Sequence, residues 1–127
     1  MNATMYKTRT AEISLENEGY ILIKLLSDII IDDADALDNL LVVKNLSDNK
    51  KQLKLLDIRG NIIFTPKAKE VTKNQVSNKN TIARAYLVDS YLTGLLKTFF
   101  ESFSKPEVPQ KFFTDKEEAV KWLLKQK

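Results

Sequence analysis

The sequence predicts an α/β fold on a mixed, mainly parallel sheet, and three observations carry the prediction. The run Leu53-Lys54-Leu55-Leu56-Asp57-Ile58-Arg59-Gly60 is short, mostly apolar and stops at a glycine, with helical stretches on either side. It reads as an interior strand, because strands covered on both faces lose the polar alternation. Residues 9–26 alternate in two runs around Asn17-Glu18-Gly19, the pattern of a hairpin with a glycine for positive φ. Strand and helix patterns then take turns to the end. The resulting order, β-β-α-β-α-β-α-β-α, implies right-handed crossovers between parallel strands.

Within the hairpin, Ile13 and Leu15 alternate with Ser14 and Glu16, and Ile21, Ile23 and Leu25 with Leu22 and Lys24. Asp28 to Ile31 reads as a connector. Asp32 or Asp33 caps a helix to about Leu46, whose inner stripe is expected at Leu37, Leu40, Leu41 and Lys44, widened by Ala36 and Val43. Ser47 to Lys51 is a polar loop before the interior strand. After Gly60-Asn61 and Ile62-Ile63-Phe64, Thr65-Pro66 signals a helix start, a hydroxyl cap followed by proline at the first helical position. That helix runs to about Gln75 and carries Lys67, Lys69 and Lys73 outward.

Thr81 to Val88 is another strand. Ser90 opens the most regular helix pattern, with Leu92, Leu95, Leu96, Phe99, Phe100 and Phe103 at i, i+3, i+4, i+7, i+8 and i+11. Pro106 and Pro109 end it before a short strand, Lys111-Phe112-Phe113. Thr114-Asp115-Lys116-Glu117 reads as a capping box for a last helix with Ala119, Trp122 and Leu123 inward.

Composition narrows the chemistry more than the motifs do. The 127 residues form one domain, 1–127, with 1–8 as a flexible or edge segment, and 43% hydrophobic with 29% charged content is that of a globular chain. No stretch approaches the roughly 20 apolar residues of a membrane helix. Met1 to Lys7 lacks the apolar core of a signal peptide, so the expectation is a cytoplasmic protein. There is no cysteine and no histidine. Disulfides, thiolate nucleophiles and Ser-His or Cys-His units are therefore excluded, and a metal site would have to be all-oxygen. Residues 1–48 carry a net charge of −5 and residues 49–127 one of +8, for +3 in all. Either the halves neutralise each other across one surface, or the second presents a basic face to an acidic partner.

Four groups of residues are candidate sites, each with a plain structural alternative. Asp57 and Arg59, with Gly60, end the interior strand, where open α/β sheets bind ligands; the alternative is a local pair anchoring the loop. Asp28, Asp32, Asp33, Asp35 and Asp38 cluster, but they lack the glycine and terminal glutamate of a calcium loop, and a helix dipole accounts for acidic first turns. Lys67, Lys69, Lys73 and Lys79 line a basic strip without aromatics to stack bases, which argues against nucleic acid. Phe99, Phe100, Phe103, Phe112, Phe113 and Trp122 are dense for so small a chain. Phe112 and Phe113, adjacent in a strand, must point to opposite faces.

A family resemblance joins these residues. Leu55-Leu56-Asp57-Ile58-Arg59 and Thr65-Pro66-Lys67-Ala68-Lys69-Glu70 resemble the first half of STAS-type domains of the SpoIIAA-like group, small bacterial proteins of mostly undefined function. Ala83-Arg84-Ala85-Tyr86-Leu87-Val88-Asp89-Ser90, Phe99-Phe100-Glu101-Ser102-Phe103-Ser104-Lys105-Pro106 and the stretch Pro109 to Leu123 resemble its second half. The likeness covers the chain from about Thr10. It implies a STAS fold, with an N-terminal hairpin, a four- to five-stranded sheet and about four helices leaning on one side of it. In anti-sigma-factor antagonists of that fold, an Asp-Ser-Ser-Gly-like motif at the second helix carries a phosphorylated serine. Here Thr65-Pro66-Lys67-Ala68 stands in its place without a serine, which speaks against that switch.

The expected function is a non-enzymatic interaction or regulatory module without cofactor. Its contact surface is Asp57, Arg59, Gly60, Thr65, Lys67 and Lys69, and its partner is another protein or a second copy. The alternative is a carrier of a small apolar, lipid-like molecule in a pocket formed by the phenylalanines and Trp122. That alternative draws on a fold likeness of the wider group to CRAL-TRIO lipid carriers.

Overall fold

The computed structural model describes residues 4–75, 80–89, 98 and 108–127. Its strands are β1 (Thr4–Lys7), β2 (Ala11–Glu16), β3 (Tyr20–Leu25), β4 (Ile29–Ile31), β5 (Gln52–Asp57), β6 (Ile62–Phe64), β7 (Thr81–Leu87) and β8 (Gln110–Phe113). The described helices are α1 (Asp33–Ser47), α2 (Pro66–Gln75) and α3 (Lys116–Leu124). The helix expected from Ser90, with Phe99, Phe100 and Phe103, lies outside the described residues, as does Lys79.

Six strands form one sheet in the order β1-β2-β3-β5-β7-β8. β1, β2 and β3 pair antiparallel; β3, β5, β7 and β8 pair parallel. The sheet is thus mixed and mainly parallel, one strand larger than expected because Thr4–Lys7 extends the hairpin as its edge. β5 lies inside, flanked by β3 and β7. Gly19 takes φ 100° in the turn that sets the β2–β3 register.

The two faces of the sheet are covered differently. Ala11, Ile13, Ile21, Ile23 and Tyr86 pack under α1 and α2 with Ala36, Val43 and Ala68. Tyr20, Leu53, Leu55, Ala83, Ala85 and Leu87 pack on the opposite face under Ala119 and Leu123 of α3. The helices therefore cover both sides rather than one. β5 supplies both cores through its period of two: Leu53 and Leu55 face α3, while Lys54 and Leu56 face α1 and α2.

Three local expectations are corrected. The residues read as a connector, Ile29–Ile31, form β4, which pairs parallel with β6 in a separate two-stranded sheet. The last helix is capped by Asp115, which accepts the Glu118 N–H at 3.0 Å, one residue after the expected Thr114. The inner stripe of α1 is Asp35, Ala36, Asn39, Val43 and Ser47, while Leu37 and Leu41 are 43% and 49% exposed.

Polar anchors cause that rotation. Asn39 donates to Thr10 Oγ1 at 2.9 Å and accepts from Thr8 Oγ1 at 2.6 Å. Asp35 accepts from Arg9 Nε at 2.9 Å and from Arg9 Nη2. Four residues apart, 35, 39, 43 and 47 share one helical face, so satisfying the first two turns that face toward the β1–β2 bend. Burying either polar group without its partners costs more than exposing two leucines.

Candidate functional site

The end of β5 holds the first predicted group. Asp57 is buried and receives Arg59 in a bidentate pair, Nε to Oδ1 at 2.9 Å and Nη2 to Oδ2 at 2.7 Å; the Arg59 backbone N–H adds a third contact at 3.2 Å. Hydrogen bonding to the Asp57 carboxylate raises the pKa of the Arg59 guanidinium, against the opposing effect of the guanidinium's own partial burial. Gly60 continues at φ 103° and donates its N–H to Asp89 Oδ2 at 2.8 Å. A Cβ there would meet Ser27 Oγ at 2.8 Å. Gly60→Ala is therefore expected to destabilise the chain by about 1–3 kcal/mol, read as a lower denaturation midpoint with unchanged slope.

Thr65 closes the first turn of α2, its Oγ1 accepting the Ala68 N–H at 3.1 Å and its carbonyl the Lys69 N–H at 3.0 Å. Lys67 is exposed and Lys69 half-buried. β6, immediately before Thr65, places Ile63 opposite Ile30 of β4. Ile31, Ile62 and Phe64 point inward, whereas Ile30 and Ile63 are 57% and 53% exposed. One surface segment thus combines an apolar pair with the start of the lysine-bearing helix, and hydrophobic periodicity in so short a strand gave no sign of it.

The acidic cluster resolves into structure. Asp32 and Asp35 form a reciprocal capping box at α1, and Asp28 accepts a long hydrogen bond from the Asn61 amide at 3.4 Å. Hydrogen bonding from Arg9 holds the Asp35 carboxyl down at about 2, against the opposing pull of burial. Among the described residues no group of three or more acidic side chains is close enough to hold a metal ion.

The described aromatics divide between the two faces. Phe112 stacks on Tyr86, centroids 4.6 Å apart, on the α1–α2 side. Phe113 meets Trp122 at 5.8 Å on the α3 side. Phe112, Phe113 and Trp122 therefore do not share a cavity.

A cavity of about 100 Å³ lies instead between α1, α2 and the sheet. Leu25, Leu40, Val43, Leu56 and Phe64 supply apolar wall. Lys54 and Arg84, partners in register on β5 and β7, also line it, only 8% and 5% exposed. Lys54 Nζ donates to Thr81 Oγ1 at 2.8 Å. Burial, reinforced by the charge of Arg84, pushes the Lys54 ammonium down to about 8, and burial also lowers the Arg84 guanidinium. Sequence reasoning missed this pair, since each cation sits singly inside an apolar strand.

The family model described as Domain of unknown function (DUF7793) matches residues 13–127. The chain belongs to this family. No curated protein matches its sequence. A solved structure does resemble the DUF7793 chain, that of an uncharacterized protein from the DUF3478 family with a SpoIIAA-like fold, from Shewanella loihica PV-4. The likeness has a TM-score of 0.62 at 16% identity and covers 95% of this chain and 91% of that one. The DUF7793 chain accordingly has the SpoIIAA-like fold of STAS-type modules. Among its described residues no helix is long and apolar enough to cross a membrane.

Proposed function

We propose that this DUF7793 chain is a non-enzymatic protein-binding module that works through the β4–β6 ladder and the adjoining start of α2. Its partner is a protein whose apolar patch is rimmed by carboxylates. The observation that carries the reading is the Ile30–Ile63 pair, two branched apolar side chains side by side and each more than half exposed. Alternation along both strands puts their neighbours in the core, so polar residues would have served a free surface equally well. Lys67 and Lys69 follow within a helical turn, in the half of the chain with net charge +8, which favours an acidic rim on the partner. A chain without histidine or cysteine, and with Asp57 locked to Arg59, is better equipped to grip than to transfer protons.

Ile63→Asp and the double variant Lys67→Glu/Lys69→Glu test the reading in the chain's own cell. Both should keep the circular dichroism of the parent. Ile63→Asp should lose the partner that the parent co-isolates, and the lysine variant should weaken it in a salt-dependent way. Where light scattering finds the parent dimeric and Ile63→Asp monomeric, the partner is a second copy. Retention of every partner by both variants would contradict the proposal.

A further inference from the structure

We propose that β1 is a self-pairing edge: the β1 strands of two copies add antiparallel about a twofold axis at Tyr6 and join their sheets into one. This edge lies apart from the β4–β6 face, and either surface can fail without the other. Among the described residues β1 is the last strand of the sheet and pairs with β2 alone. The direction of its peptide groups follows from two bonds. Thr8 N–H donates to the Ala11 carbonyl at 2.9 Å, and across β2 Leu26 N–H donates to the Thr10 carbonyl at 2.9 Å. Ala11, Ile13 and Leu15 therefore bond toward β1, while Glu12, Ser14 and Glu16 bond toward β3. In register with them, Thr4 and Tyr6 bond toward β2, and the N–H and C=O groups of Met5 and Lys7 face outward. Among the described residues no backbone group takes them.

Free edges are normally blunted by proline, a bulge or inward charge. β1 has none of these and keeps unbroken register from Thr4 to Lys7. Its middle residues, Met5 and Tyr6, are both exposed. They point to opposite faces, Tyr6 beside Ile13 on the α1 side and Met5 beside Ser14 on the other. A patch on one face would cover one of them. An added strand supplies a neighbour to both.

The register selects a second copy as that strand. With Met5 and Lys7 turned outward, twofold pairing sets Met5 against the partner's Lys7 and Lys7 against the partner's Met5, each a hydrogen-bonded pair. Tyr6 then meets the partner's Tyr6 on the axis as a non-hydrogen-bonded pair, with Cα atoms about 4.5 Å apart, where cross-strand aromatics touch. Charge agrees with this register. The two lysines are not opposed, Glu12 lies 3.9 Å from the Lys7 ammonium, and each lysine stem can cover a methionine. Space agrees as well. α1 packs on β2 and β3, so at about 4.8 Å per strand it lies roughly 10 Å from the axis. Two such helices, about 20 Å apart and each about 10 Å across, stand clear of one another.

Sedimentation of the full chain should show a reversible monomer–dimer equilibrium between about 10 μM and about 1 mM, as befits a small interface of two short strands. Lys7→Pro removes an outward N–H and leaves the β2 ladder intact. By symmetry it deletes two intermolecular bonds, so the dimer should weaken about ten-fold, whereas Lys7→Ala should stay within about three-fold of the parent. The chain has no cysteine, so Tyr6→Cys places a single thiol on the axis. Mild oxidation should couple it across the dimer at least about ten-fold faster than Met5→Cys, whose two copies stand roughly 8 Å apart, beyond disulfide reach. A parent still monomeric at about 1 mM, a dimer indifferent to Lys7→Pro, or equal coupling of the two cysteines would each overturn the proposal. So would a dimer lost in Ile63→Asp but kept in Lys7→Pro, which belongs to the β4–β6 face, or a monomeric parent that takes only foreign strands at β1.

Discussion

Leu55→Ala is expected to destabilise the chain by about 2–5 kcal/mol, the largest effect of any single truncation in β5. Leu55 is fully buried in the centre of the sheet, against Ala85 of β7 in register and beneath Ala119 and Leu123 of α3. Ala85 and Ala119 let sheet and helix approach closely, so these two neighbours have little side chain with which to refill the space. The cavity term then adds to the lost transfer free energy. Urea denaturation of the variant and the parent reads the difference directly. A loss below about 1 kcal/mol would mean that α3 does not pack on this face.

One residue earlier in the same strand, the opposite sign is expected. Lys54→Met should stabilise the chain by about 1–3 kcal/mol at pH 7, because methionine fills the stem's volume without a buried charge beside Arg84. The pH dependence identifies the cause. Lys54 releases its proton near pH 8 in the fold, against an ordinary value of 10.5. Between those values the unfolded chain binds more protons, so stability rises with pH across that window. Tyr20 and Tyr86 are pushed by burial from 10.0 to about 12 and work the other way. Above pH 10 the fold keeps protons that the unfolded chain gives up, and stability falls. The parent should therefore gain stability from about pH 8 to about 10 and lose it beyond. Lys54→Met should lack the gain and keep the loss.

The sequence displayed the apolar frame and concealed the polar one. Leu53 to Ile58 was legible as an interior strand because both faces of β5 are covered and its apolar run is nearly unbroken. The β2–β3 hairpin was legible because Gly19 meets a backbone requirement that few residues can. The face of α1 was not, since Asp35 and Asn39 turn inward for partners at Arg9, Thr8 and Thr10, about 30 positions away. No local pattern distinguishes such an asparagine from a solvated one. β4 was hidden for a related reason: its partner β6 begins at Ile62, and three isoleucines alone do not reveal a ladder closed at that distance. In the candidate sites, the Asp57–Arg59 pair was visible from its spacing of two in a strand end. The Lys54–Arg84 pair was invisible, because it exists only through the parallel register of β5 and β7.

A photoreactive side chain at position 63, in the cell that makes the protein, bears most directly on whether the β4–β6 face grips a partner. Position 117 is the control, exposed on α3 at the opposite face of the sheet. Position 63 should yield one discrete adduct that Lys67→Glu/Lys69→Glu diminishes, and position 117 should not yield it. The same adducts from both positions, untouched by the charge reversal, would contradict a docking face at Ile30 and Ile63.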